Sequence, residues 1–504
     1  MKQHAFLAAA ALWIAIDLAS AAPPALTIYN QNFAVVRDTV ALDLKAGVNA
    51  VRFTETTAHL EPDSVILRDP AGKFSLQVLE QNYRNDPVSQ DLLLSLFEGK
   101  TIDFLVARPE GAESIVSGKI IRSGYMPNVQ RTTQRYGQQH YQRQFGSEGR
   151  GQPIIEVDGK LRFSLPGTPL FPQLGNDTIL KPTIEWQLAA DKPGKVEAEL
   201  AYVTGGMSWE ADYNVIAPSD SDLVDVIGWI TMDNQSGKTF ENARIKLMAG
   251  DVSKIQPGND RALEERAVNA LSFSAAPGPQ VTEKAFEDYH LYSLPRPATL
   301  RDRETKQVEF IHATQVPSQK VYIYDGMKVD WSQYRGQRME NMRNNQELGD
   351  ESDSKVAMMR EFKNSEANRL GIPLPKGRVR FYKQDADRQL EFTGENVIDH
   401  TPRDETLRIY TGNAFDLVGE RRRTDYKMDS SGKSITESFE IKLRNTKKEP
   451  VEIRVVEHLF RWYTWDVIEK SDPFVKTNAQ TMEFRVPVKP DEERVLRYTV
   501  KYSW

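Results

Sequence analysis

Ile230-Thr-Met-Asp-Asn234 runs into Gln-Ser-Gly-Lys-Thr-Phe-Glu-Asn-Ala243 and then into Arg244-Ile-Lys-Leu-Met248. The same order returns as Ile441-Lys-Leu-Arg-Asn445, then Thr-Lys-Lys-Glu-Pro450, then Val451-Glu-Ile-Arg-Val455. Apolar residues at every second position describe strands with one buried face. Asn at the strand end suits a turn, because its side chain bonds nearby backbone and it tolerates left-handed geometry. The pattern is that of β-sandwich packing. It bears on architecture and says little about chemistry.

The same alternation extends both ways. Leu26 to Val78 is strand-like, and Ala41-Leu-Asp-Leu44, a turn at 45–49 and Ala50-Val-Arg-Phe53 suggest a hairpin. Ser89 caps an expected short helix over 91–97. Short Gly-punctuated strands over 94–166 suit a small SH3-like barrel. Within it, segment 125–152 is rich in Gln, Arg and Tyr and too poor in aliphatic residues to fill a core. Strands without alternating long helices argue for antiparallel packing. The expected fold is therefore mostly β, with antiparallel β-sandwich modules and an inserted SH3-like barrel. Its expected parts are an N-terminal β domain (22–93), the barrel (94–166) and a large C-terminal sandwich region (183–504) with polar inserts at 256–285 and 328–354. A short helix is expected over 261–271.

Met1-Lys2 and an apolar run ending Ala19-Ser-Ala21 have the form of a secretory signal peptide cleaved after Ala21, although Asp17 is unusual there. The chain has no cysteine, which excludes disulfides, thiolate metal sites and a Cys nucleophile. No other stretch is long and apolar enough for a membrane-spanning helix. Export to a bacterial periplasm is expected. A net charge of −6 argues against nucleic acid as the main partner. No cofactor or metal is expected, since no HExxH and no close His pair occurs.

Further blocks resemble the family of domain of unknown function 4139. They are Tyr202-Val-Thr-Gly-Gly-Met-Ser-Trp209-Glu-Ala-Asp212-Tyr213, Gly228-Trp229 through Asn234-Gln-Ser-Gly237, and Ala249-Gly-Asp-Val252. Tyr292-Ser-Leu-Pro-Arg-Pro297, Leu370-Gly-Ile-Pro-Leu-Pro-Lys-Gly377, Gly412-Asn-Ala-Phe-Asp416 and Val456-Glu-His458 follow in order. The resemblance covers about 183–504. It implies an exported, mostly β protein of unknown activity, and it supplies no catalytic residues. Longer relatives, similar to mucoidy inhibitor A, carry coiled-coil helices before this domain. No heptads occur here.

Two places are candidate binding surfaces. Tyr125, Arg131, Arg135, Tyr136, Tyr141 and Arg143 interleave cations with rings, which suits an anionic glycan. Asp416 stands near Arg421, Arg422 and Arg423, whose guanidinium groups suit phosphate or carboxylate; read more plainly they are a solvated charge run. The leading functional expectation is a non-enzymatic binding or scaffolding module of the cell envelope, with an envelope protein or anionic glycan as partner. A hydrolase using Asp212, Asp416 and Glu457 is an alternative that requires these acids to converge in one pocket. An outer-membrane barrel is another, from the alternation Leu496, Tyr498, Val500, Tyr502 and Trp504 at the C-terminus. His400 and His458 read as structural histidines.

Overall fold

The computed structural model describes residues 22–107, 113–125, 152–172, 179–218, 221–250, 252, 254, 282–286, 289–330, 332 and 343–504. Residues 1–21, most of the 125–152 segment and the expected helix at 261–271 lie outside them. The chain divides into two compact units. Unit 1 is Met1–Trp209, Met232–Ser274 and Lys284–Lys306; unit 2 is Glu210–Thr231, Ala275–Glu283 and Gln307–Trp504.

Strands dominate, as expected. In chain order they begin with β1 (Ala25–Tyr29), β2 (Phe33–Leu44), β3 (Gly47–Phe53), β4 (Ile66–Arg68), β5 (Leu76–Arg84), β6 (Thr101–Ala107), β7 (Glu113–Arg122) and β8 (Ile154–Val157). Next come β9 (Lys160–Arg162), β10 (Thr168–Leu170), β11 (Thr183–Ala190), β12 (Gly194–Gly205), β13 (Met207–Ala217), β14 (Leu223–Asn234), β15 (Phe240–Ala249) and β16 (Thr282–Phe286). Then come β17 (Tyr289–Ser293), β18 (Ala298–Leu300), β19 (Glu304–Tyr324), β20 (Lys355–Lys363), β21 (Gly377–Gln384), β22 (Leu390–Ile398) and β23 (Thr406–Met428). The set closes with β24 (Ser434–Asn445), β25 (Val451–His458), β26 (Trp465–Lys470), β27 (Phe474–Asn478), β28 (Thr481–Val488) and β29 (Glu492–Ser503). The α-helix α1 (Gln90–Leu96) is capped as its sequence suggests: Ser89 Oγ accepts the Leu92 amide at 3.2 Å.

In unit 1 the main sheet runs β16-β17-β15-β1-β2-β12-β4. Here β1 lies parallel to β15 and antiparallel to β2. A second sheet runs β3-β11-β5, and the small sheet of the 94–170 region runs β10-β6-β7-β8-β9. That small sheet is antiparallel throughout. Its end strands β9 and β10 are not paired with each other among the described residues. Leu94, Ile102, Phe104, Ile120 and Ile155 form its core.

The hairpin expected over 41–53 is not one. β2 pairs with β12 and β3 pairs with β11, in different sheets. The turn has the anticipated chemistry: Asn49 Oδ1 accepts the Lys45 amide at 2.8 Å, and Gly47 takes φ 93. A tight turn, however, fixes only the local reversal. Whether the chain returns beside itself or crosses to a facing layer is decided by where its apolar side chains find burial.

Unit 2 is a sandwich. Alternate residues of β24 and β29 (Ile435, Phe439, Ile441, Leu443, Leu496, Tyr498, Val500 and Tyr502) pack against Ile453, Val455, Met482, Phe484 and Val486 of β25 and β28. Phe439 and Phe484 both lie against the Tyr498 ring, at 5.1 and 5.7 Å between centroids. Burying each such side chain stabilises the fold by about 1.5–3 kcal/mol. The C-terminal alternation therefore belongs to the inner face of a sandwich, and the lipid-facing expectation does not hold for β29.

The repeated Asn has one geometry in both copies. Asn234 Nδ2 donates to the carbonyls of Lys238 (2.8 Å), Leu300 (3.2 Å) and Arg301 (3.0 Å), while its Oδ1 accepts the Ser236 amide (3.1 Å). Asn445 Nδ2 donates to Glu449 (3.0 Å), Val488 (3.2 Å) and Lys489 (3.1 Å), and its Oδ1 accepts the Lys447 amide (2.9 Å). A third copy, not anticipated from the sequence, centres on Asn364. Its Nδ2 donates to Ile372 (2.8 Å), Thr401 (3.4 Å) and Pro402 (2.9 Å), and its Oδ1 accepts the Gly371 amide (2.9 Å). In every copy the clamped connection carries a left-handed residue: Arg303 (φ 59), Asp404 (φ 65) and Asp491 (φ 54).

The strand pairing repeats with the clamp. The strand that ends in the Asn, or for Asn364 one residue before it, pairs with the one after the clamped connection: β14 with β19, β20 with β23 and β24 with β29. The strand after the Asn turn pairs with the one before that connection: β15 with β18, β21 with β22 and β25 with β28. That strand also takes a parallel neighbour each time, β1, β13 or β19. Each Asn thus ties together two chain connections at one end of a four-strand module.

Candidate binding sites

Period-2 alternation along β23 turns Arg421 and Arg423 to one face and Arg422 to the other. Arg422 is exposed, whereas the side chains of Arg421 and Arg423 are buried. Arg421 Nε lies 3.0 Å from both carboxylate oxygens of Glu457, and Nη1 donates to the Gly349 carbonyl at 2.7 Å. The Tyr498 hydroxyl donates to Glu457 Oε2. Beside this pair, Arg461 holds Glu437 in a two-point contact, 2.9 Å each. Arg423 reaches Glu437 at 3.2 Å and Asp350 at 3.3 Å.

Arg461 also donates to the backbone carbonyls of Arg343 (2.6 Å), Asn345 (2.8 Å) and Leu348 (3.3 Å). The three guanidinium groups thus fasten residues 343–350 onto the strands. Three carboxylates (Glu437, Glu457, Asp350) balance three cations. Burial, and then the Glu457 charge, holds the Tyr498 hydroxyl far above its ordinary range. A cavity of about 10 Å3 remains among these groups, about enough for one water. Arg421 and Arg423 are occupied by the protein's own chain and leave no room for a ligand.

The other expected site residues are dispersed. Asp416 is exposed, and its main-chain carbonyl accepts the Thr446 amide (2.9 Å) and hydroxyl (3.1 Å). Tyr125 is half-buried at the end of the small sheet. Arg131, Arg135, Tyr136, Tyr141 and Arg143 lie outside the described residues. The three acids weighed for hydrolysis do not converge. Glu457 is sealed in the network above, Asp212 accepts the Thr231 hydroxyl at 3.0 Å, and Asp416 sits in solvent. Among the described residues no three His, Cys, Asp or Glu side chains gather as metal ligands.

His458 follows Glu457 and points the other way, toward an open cleft. Its Nε2 lies 3.0 Å from Asp325 Oδ2, and its ring stacks on Phe460 at 4.9 Å. The hydrogen bond to Asp325 raises the imidazole pKa above 6.5. A raised folded-state value contributes stability that is complete below the unfolded pKa and is lost as pH rises through the folded one. Asp325→Asn is therefore expected to lower the His458 pKa in an NMR titration. It should also destabilise the protein below about pH 6 and be silent near pH 9. Equal destabilisation at both pH values would refute the charged pairing.

Uncommitted cations occur elsewhere, in unit 1. On the outer face of the main sheet, register places Arg37 and Arg244 on either side of the small residue Ala25, with Lys246 beside Thr27 one step along. The three cations line an open cleft of about 610 Å3. Glu199 in the same cleft is paired with Arg68 at 2.7 Å, and Asp38 with Lys238 at 2.8 Å. Arg37, Arg244 and Lys246 have no ion-pair partner among the described residues, and Glu197 is the one carboxylate of the cleft without one. The sequence carried a signal for two of them: Arg244 and Lys246 alternate with the buried Ile245 and Leu247 of the first Asn repeat. Strand β1, which brings Arg37 beside them, gives no such hint.

The fold and these sites define a mostly β protein of sandwich modules with open, charged clefts. The chain belongs to the family described as domain of unknown function (DUF4139), whose model matches residues 198–504. No curated protein matches it. No described helix is long and apolar enough to cross a membrane.

Proposed function

We propose that the protein is exported, loses residues 1–21 by cleavage after Ala21, and serves in the bacterial periplasm as a non-enzymatic module that binds an anionic glycan of the cell envelope. One observation carries this reading: Arg37, Arg244 and Lys246 line an open cleft with no ion-pair partner among the described residues, while the acids suited to hydrolysis stand apart. Cleavage at that point creates an α-amino group on Ala22, which lines the same cleft and adds a fourth cation. Arginines in such a place suit carboxylate or phosphate groups through charge-assisted hydrogen bonds.

The expected result is retention of the mature protein on an anionic envelope polysaccharide, weakening as salt rises because these charges are exposed. Arg244→Ala is expected to weaken binding about tenfold, or about 1.4 kcal/mol, without changing the melting temperature. Fractionation to the cytosol, or binding unaffected by Arg37→Ala and Arg244→Ala together, would overturn the proposal. Crosslinking in intact envelopes that recovers one reproducible protein and no glycan would replace it with protein scaffolding.

A further inference from the structure

Strand register fixes where the charges of the unit 1 cleft stand. Ala25 of β1 pairs with Arg244 of β15 on one side and with Arg37 of β2 on the other. Directly paired residues project to one face of a sheet. The buried Leu26, Ile245 and Val36 take the opposite face. The main chains of the two arginines are therefore two strand spacings apart, about 10 Å, with only a methyl group between their side chains. Both arginines are exposed and Ala25 is half-buried. Lys246 follows Arg244 two residues along β15, on the same face.

The carboxylates of the cleft gather at its other end. Along β2, Arg37 is followed on its face by Thr39 and Ala41, which pair with Glu199 and Glu197 of β12. Glu197 thus stands about 13 Å along the sheet from Arg37. Lys246 lies in the opposite direction, beside Thr27. Glu199 is nearer, and Arg68 of β4 holds it at 2.7 Å from the side away from β2. Asp38 alternates to the other face and bonds Lys238 at 2.8 Å.

Ala25 leaves the space between the two guanidinium groups open. Like charges on either side of an empty position repel, and an anion placed between them is drawn by both. A carboxylate has one charge and two oxygens, which a single arginine fills in a two-point contact. A phosphate monoester carries close to two charges and three acceptor oxygens. Two facing guanidinium groups with an ammonium beside them match the phosphate and exceed what a carboxylate can use.

We propose that the group held in this cleft is a phosphate monoester borne on the glycan. It sits over Ala25, clamped from both sides by Arg37 and Arg244, with Lys246 adding charge from the next position. The inference deepens the glycan reading and rests on it. It also gives Ala25 a role, because a larger side chain there fills the place of the phosphate.

The test is calorimetric titration of the mature protein with glucose 6-phosphate, glucuronate and inorganic phosphate, run beside the polysaccharide retention assay. Glucose 6-phosphate is expected to bind at least about tenfold more tightly than glucuronate. Ala25→Leu keeps all three cations, and it is expected to abolish that preference without lowering the melting temperature. Should the leucine variant melt lower, Ala25→Val carries the same test with a smaller, strand-favouring side chain. Equal affinity for glucose 6-phosphate and glucuronate overturns the phosphate clamp, and so does a preference that survives both substitutions. If the polysaccharide is still retained in either case, the glycan reading stands without the clamp. A preference lost on substitution, with inorganic phosphate binding as tightly as glucose 6-phosphate and no polysaccharide retained, upholds the clamp and overturns the glycan reading.

Discussion

Glu457→Ala is expected to lower stability by about 3–5 kcal/mol, the largest effect of any single substitution considered. Glu457 is fully buried; it receives both the Arg421 guanidinium and the Tyr498 hydroxyl. Truncation leaves Arg421 charged, 4% exposed and tied only to the Gly349 carbonyl, with the Phe439 ring 4.2 Å from its guanidinium carbon. A ring face and one carbonyl do not replace a carboxylate for a buried cation. The pair itself is another matter. Two desolvated charges roughly cancel their own cost, so replacing the whole set can be neutral. The triple variant Arg421→Met, Glu457→Leu, Tyr498→Phe is therefore expected to recover most of the loss. Urea unfolding of the single and triple variants decides it. A Glu457→Ala cost under about 1 kcal/mol would show that water reaches the site.

This contrast explains why the arginine run misled. Alternation along β23 is legible in the sequence and places Arg421 and Arg423 on one face. Their counter-charges are Glu437 on β24 and Glu457 on β25. Nothing local marks an acid on a separate strand as the partner of a given arginine. The carbonyls of 343–350 were still less visible, because main-chain oxygens leave no trace in residue identity. Burial alternation was the reliable signal: it gave the second Asn repeat, the closing strand β29 and the mostly β class. Connectivity was not legible where a turn can either reverse within one sheet or cross to another, as between β2 and β3. The parallel pairing of β1 with β15 likewise depends on residues far apart in sequence meeting in one layer.

The Asn clamps give the second large expectation, and they separate shape from hydrogen bonding. Asn445→Asp keeps the side-chain volume but puts an acceptor where three carbonyl oxygens, those of Glu449, Val488 and Lys489, each accept from Nδ2. Asn445 is 1% exposed, so water cannot relieve the repulsion. Asn445→Ala removes the donor without adding charge, leaving carbonyls of two connections with one bond fewer. At about 1–3 kcal/mol for a buried group left unsatisfied, with neighbours free to relax, the alanine variant should lose about 2–3 kcal/mol. The aspartate variant should lose more at neutral pH, and its excess loss should shrink in acid as the carboxyl gains a proton and can donate once. Glutamine cannot substitute, because its extra methylene moves the amide out of a site closed on both sides. The same ranking, Asn above Ala above Asp, is expected at Asn234 and Asn364, because the donor set is the same at each. Asn364 is the sharper case: its turn, 365–376, is long and carries no immediate alternating strand, so the copy was invisible in sequence and its equivalence rests on geometry alone. Thermal melts of the three Asp variants that differ by many degrees, or an Asp variant more stable than its Ala counterpart, would mean that these asparagines fill space and do not clamp.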